Sequence, residues 1–140
     1  MNPVSFPISQ WVAALLLPLL LGAVTPALAN DIYVIAHPSV KLTADAIREV
    51  YIGEKQFAGD IKIIPADNAA SQANFLAKVL KLDETRYANL WVKKAFRDAL
   101  NPPALRTSDR DVADFVRKTP GAISYVSSPP EAGVTLIQKF

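Results

Sequence analysis

The chain has 140 residues, 51% of them hydrophobic and 20% charged, with one histidine, no cysteine and a formal net charge of +2. Without cysteine there is no disulfide framework and no thiolate-built zinc, haem or iron–sulfur site, so a stable fold must rest on its hydrophobic core. A charge of +2, with Lys and Arg scattered among Asp and Glu, is too small to point to nucleic acid as a partner.

From Trp11 to Val24 the chain is almost wholly apolar. Thr25-Pro26 ends that run, and Ala27-Leu28-Ala29 follows with small residues at the two positions a signal peptidase reads. This is the order of a secretory signal, cleaved after Ala29, even though no Lys or Arg precedes Trp11. An uncleaved anchor fits less well, because a spanning helix needs ~20 apolar residues and Pro18 interrupts the run. The expectation is one domain over residues 30–140, periplasmic or secreted, with a single core.

The β-branched run Ile32–Ala36 predicts a first buried strand. Thr43 is placed as the N-cap of a helix in which Leu42 and Ile47 form a hydrophobic staple, Val50 and Tyr51 face inward, and Gly53 is a left-handed cap. Ile61–Ile64 predicts the second strand, closed by Pro65. After the loop of residues 66–70, Ser71 is the expected N-cap of a second helix, with Phe75, Val79 and Leu80 inward. Asp83 caps a longer third helix carrying Tyr87, Leu90 and Trp91, which Asn101-Pro102-Pro103 stops. Ser108 with Asp111 opens a fourth helix in the manner of a capping box, around Val112, Phe115 and Val116. Ala122–Val126 and Val134–Ile137 predict two more strands, separated by a Pro-rich loop. Strands alternating with helices imply an α/β fold of three layers, a mostly parallel or mixed sheet flanked by helices.

In such sheets ligands bind beyond the carboxyl ends of strands. The segment Asp67–Ala73 runs from a strand end into a helix start, where the first amides have no internal partner and meet the positive end of the dipole. Ser71 with the amides of Gln72 and Ala73 could hold an oxyanion there; equally, Ser71 could only cap its own helix. Arg106-Thr107-Ser108 offers a positive charge and two hydroxyls before the fourth helix, or simply a capped helix with a solvated Arg. Thr43, after the first strand, is expected on the same surface. His37 follows a strand end, but one histidine without a second ligand makes a poor metal site, and no cofactor is implied. No Gly-x-Ser-x-Gly elbow, thiol or Gly-rich phosphate loop points to an enzyme. Asp45, Asp67 and Asp109 each lie near a helix start, where the dipole already accounts for an acid.

These segments, in order, resemble the phosphate-binding proteins of ABC transporters. Leu42-Thr43-Ala44-Asp45 followed by Val50–Lys55 is similar to a family helix ending in a bulky apolar pair, Gly and Lys. Ile63–Asp67 with Ser71 and Phe75 resembles the family's strand, binding loop and helix start. Leu90-Trp91 through Phe96, Pro102-Pro103, Ser108-Asp109 and then Thr119–Val126 resembles the end of the same domain, the last segment being close to the family's Pro-Gly-Ala-Ile-Gly-Tyr signature. The likeness covers nearly all of residues 30–140 and is nearest to the short, one-lobe secreted members.

The resemblance implies a fold similar to one lobe of a type II periplasmic binding protein. It also implies phosphate or a related oxyanion as ligand, held by Ser71, Gln72 and Ala73 with Thr43, Arg106 and Ser108, and an ABC transporter permease or envelope sensor as partner. Four positions depart from the pattern: Gln72 and Ala73, where Ser71-Gln72-Ala73 stands for Ser-Gly-Thr, Asp67 for an Arg, and Ser124 for the Gly before the signature Tyr. One lobe leaves the site open, and a homodimer could close it by using the same face twice. The alternative is an interaction module of the cell envelope that keeps the fold without a tight small ligand.

Overall fold

The computed structural model describes residues 31–140 together with Pro3. The apolar leader and its cleavage point after Ala29 lie outside the described residues. Among the described residues, seven strands and four α-helices follow one another as β1 (Tyr33–Ala36), α1 (Ala46–Tyr51), β2 (Phe57–Ala58), β3 (Ile61–Lys62), β4 (Ile64–Asn68), α2 (Gln72–Phe75), α3 (Glu84–Asp98), β5 (Ala104–Arg106), α4 (Asp109–Lys118), β6 (Ala122–Val126) and β7 (Thr135–Lys139). A π-helical turn, Leu76–Leu80, continues α2 without a break.

Five strands make one sheet in the order β5-β4-β6-β1-β7. β4 runs parallel to both β5 and β6, whereas β1 runs antiparallel to β6 and to β7. The sheet is therefore mixed, not mostly parallel. Side chains alternate across it with the period of two that a strand imposes. Val34 and Ala36 face a core shared with Tyr51, Phe75, Tyr87, Trp91 and Tyr125, under α1, α2 and α3. Ile35 faces the other way, onto Val112 and Val116 of α4. Helices on both faces of the central sheet give the expected three layers.

The first helix and the second strand begin elsewhere than expected for local reasons, one strand is additional, and the last runs longer. Thr43 is not a cap: α1 begins three residues later, because the amides of Ala46 and Ile47 bond back to the carbonyls of Thr43 and Ala44 as tight turns. The run Ile61–Ile64 is divided. Ile61 and Lys62 pair with Phe57 and Ala58 in a small separate hairpin, and the sheet strand starts at Ile64 and passes through Pro65 to Asn68. Pro65 is tolerated because the Ile64 amide points to β6, bonding the Gly121 carbonyl at 2.8 Å. The missing Pro65 N–H therefore falls on the side of β5, whose pairing begins only at Ala66. β5 itself, three residues behind Pro102-Pro103, carries too little pattern to be foreseen. β7 reaches Lys139 as an edge strand.

By contrast, Gly53 adopts φ +76° beyond the end of α1 as expected, with the Trp91 ring where a Cβ would project. Asp83 caps α3 by accepting from the Arg86 amide at 2.8 Å, and Ser108 caps α4 by accepting from the Asp111 amide at 3.2 Å.

Candidate functional site

Because β4, β5 and β6 are parallel, their carboxyl ends lie at one end of the sheet, and the residues that follow them meet there. Asn68 is the link. Its side-chain amide donates to Asp109 Oδ1 at 2.7 Å and to the Tyr125 carbonyl at 3.0 Å, and its own oxygen accepts from the Ala70 amide at 3.1 Å. Asp109, at the start of α4, accepts in addition from the Ser127 amide (3.1 Å), Ser127 Oγ (2.7 Å) and Ser128 Oγ (3.3 Å). One carboxylate thus holds the ends of β4 and β6 against the start of α4.

The turn Asn68–Ser71 uses up its own amides: Ala69 donates to the Arg106 carbonyl at 2.8 Å and Ser71 to the Asn68 carbonyl at 3.1 Å. The first helical bond runs from the Phe75 amide to the Ser71 carbonyl, 2.9 Å, so the amides of Gln72 and Ala73 stand ahead of it at the open end of α2. Ser71 sits at the capping position yet caps nothing. Its residue is 7% exposed, and its buried Oγ finds no hydrogen-bond partner. A buried hydroxyl without a partner is costly and rare.

Directly before this turn lies Asp67, 2% exposed. Tyr125 Oη donates to its Oδ1 and Tyr87 Oη to its Oδ2, each at 2.8 Å, and the Gln72 side chain also reaches it. Burial pushes this carboxyl above its ordinary value, against the opposing pull of those hydrogen bonds. Burial first, and then the Asp67 charge, pushes both phenols well above theirs, so they remain donors.

Arg106 ends β5 at the same end of the sheet. Its guanidinium lies 4.2 Å from the centre of the Phe115 ring and 3.3 Å from Asp111, so it is held back along α4. Ser108 Oγ is engaged in its cap. Ser71, Gln72, Ala73, Arg106 and Ser108 therefore all belong to one end of the sheet. Thr43 belongs to a loop leaving the other end, because β1 is antiparallel to β6; the expectation that the loop after the first strand joins this surface is corrected on that ground. His37 shares the far end, where its Nδ1 accepts from Ser39 Oγ (2.8 Å) and from the Ser39 amide (3.0 Å). Ser39 Oγ in turn accepts from the Gly121 amide at 3.2 Å.

In the sequence, Asp67 and Asp109 read only as acids near helix starts and Tyr87 only as a residue of the third helix. The hydrogen bonds that join Asp67 to Tyr87 and Tyr125, and Asn68 to Asp109, span 20 to 58 positions and leave no local trace in the chain. The one available signal was the polar pair Asp67-Asn68 at the end of an apolar strand, where burial demands partners.

Against solved structures, the chain is similar to a phosphate ABC transporter substrate-binding protein from Clostridium perfringens with bound phosphate. The TM-score is 0.57 at 15% identity, over 79% of this chain and 46% of that one. It is also similar to an ABC-type phosphate transport receptor from Vibrio cholerae, with a TM-score of 0.48 at 16% identity, over 79% of this chain and 47% of that one. This chain spans less than half the length of either protein. No protein-family model matches it, and no curated protein does. The first likeness shows the fold, that of one lobe of a periplasmic binding protein.

Proposed function

We propose that this chain is a small substrate-binding-protein-like module of the periplasm or cell exterior, not an enzyme. Its ligand is phosphate or a related oxyanion, held at the start of α2 by the Gln72 and Ala73 amides and Ser71 Oγ. One observation carries the reading: a serine hydroxyl buried without a partner beside helix-start amides, beyond the carboxyl end of a strand. Arg106 and Ser108 at the same end would supply donors on rearrangement, whereas Thr43, at the far end of the sheet, takes no part. An ABC transporter permease or an envelope sensor is the matching partner. Such a module would act after loss of residues 1–29. Among the described residues no helix is long and apolar enough to cross a membrane. The solved neighbour's bound phosphate supports the ligand class. Calorimetric titration with phosphate, sulfate and a carboxylate tests it: saturable heat with the tetrahedral anions is expected, and no binding at millimolar anion would overturn it.

A second reading, a protein-interaction module, draws on α3. Phe96 is 89% exposed, one helical turn from the exposed Val92. Capture of a single envelope partner that is indifferent to phosphate and lost in Phe96→Ser would favour this reading over the first.

A further inference from the structure

We propose that anion binding at the start of α2 is coupled to proton uptake by Asp67, so that the site fills when this carboxyl is neutral and empties when it ionises. The proposal rests on the anion-site reading above and adds its regulation. The geometry is specific. Asp67 lies at the end of the strand that feeds the site, and its carboxylate is in contact with the side chain of Gln72, the first residue of α2. Every group acting on it from the elements packed around it is neutral. Tyr51 of α1 lies close enough to feel its charge, Tyr87 of α3 and Tyr125 of β6 donate to its two oxygens, and Gln72 of α2 reaches it with an amide. No cation is among them. A buried carboxylate whose only stabilisation is hydrogen bonds from phenols and an amide favours its neutral form more than an exposed one does.

The coupling follows from Coulomb's law. Since the Gln72 side chain reaches Asp67, an anion on the Gln72 amide lies within ~8 Å of that carboxylate. At an effective dielectric of ~20, the repulsion between the two charges changes affinity about 10- to 100-fold. By reciprocity, a bound anion favours the protonated carboxyl by the same factor, so binding draws in a proton across the transition.

The probe is sulfate, whose charge is constant across the range, titrated calorimetrically from about pH 4 to about pH 8. Because sulfate carries two charges, the repulsion is twice that between unit charges, and affinity is expected to fall about 100- to 1000-fold as pH rises through the Asp67 transition. Buffers of different ionisation enthalpy should reveal proton uptake on binding within it. Asp67→Asn should hold the high affinity at every pH. Tyr87→Phe removes a donor that favours the ionised form and should move the fall to higher pH, which keeps the test open if Asp67→Asn does not fold. A pH-independent affinity that is equal in both proteins overturns the coupling and leaves the anion site standing. A fall that persists in Asp67→Asn also overturns it. No binding of sulfate or phosphate at any pH, in either protein, overturns the site and the coupling with it.

Discussion

Ser71→Ala separates a structural serine from a functional one, because the two roles predict opposite signs. A capping hydroxyl contributes ~1 kcal/mol of stability, and its loss lowers stability by that amount. Asp83 and Ser108 are such caps, each accepting from an amide three residues on. Ser71 is not, for its Oγ has no partner and is buried. Removing an unpaired buried hydroxyl relieves a desolvation penalty of ~1–3 kcal/mol, partly offset by the small void left behind. The anion-free variant should therefore be as stable as the parent, or about 1 kcal/mol more so. Affinity should move the other way. A hydroxyl donating to a charged oxygen contributes ~1.5–3 kcal/mol, which is about 10- to 100-fold in Kd. Urea unfolding with and without phosphate, together with calorimetric titration, reads both quantities. A variant that loses ~1 kcal/mol and keeps its affinity would show Ser71 to be an ordinary cap and refute the reasoning.

Two further predictions concern the scaffold. Gly121 holds φ +87°, and a Cβ there would stand 2.2 Å from the Lys62 carbonyl oxygen, whereas Gly59, at φ +60°, has nothing within 4 Å; Gly121→Ala should therefore lower stability by more than ~3 kcal/mol in urea unfolding and Gly59→Ala by only ~1 kcal/mol. The Asp67 carboxyl titrates above its ordinary value in the folded chain, so its contribution to stability is fully present below about pH 4 and is lost as pH rises through the folded value. Asp98 and Asp111, which hydrogen bonds to Arg97 and to the Thr107 amide hold below theirs, act in the opposite sense, losing stability as pH falls. The Asp67 term is thus read as a difference: Asp67→Asn should gain on the parent as pH rises, and a constant gap across the range would contradict it.

The parts of the fold legible in the sequence are those written locally. Ile32–Ala36 and Ala122–Val126 are short apolar runs, and both become central strands. The Asp83 and Ser108 caps follow from residues three positions apart. Gly53 marks its helix end because only its φ suits the turn there. Strand direction is different in kind. Nothing in Tyr33–Ala36 says whether it will run with or against Ala122–Val126, since a strand buried on both faces has the same apolar pattern either way. That one undetermined choice moved Thr43 and His37 to the far end of the sheet.

The same distinction explains the site. The turn Asn68–Ser71 and the amides of Gln72 and Ala73 could be placed from a strand end running into a helix start. That Ser71 leaves its cap unmade could not, because a serine at a helix start reads as a cap whether or not its hydroxyl makes the bond. Asp67 stands where the related pattern carries an Arg, and from sequence alone it reads as a charge opposed to any anion. Buried among Tyr51, Tyr87 and Tyr125, it becomes a group whose charge depends on pH. A fixed negative charge at this position would exclude oxyanions at all times. A carboxyl stabilised only by phenols and an amide excludes them only while it is ionised. Under the proposed coupling, the departure from the pattern and an anion site at the start of α2 are therefore compatible, because proton and anion would arrive together.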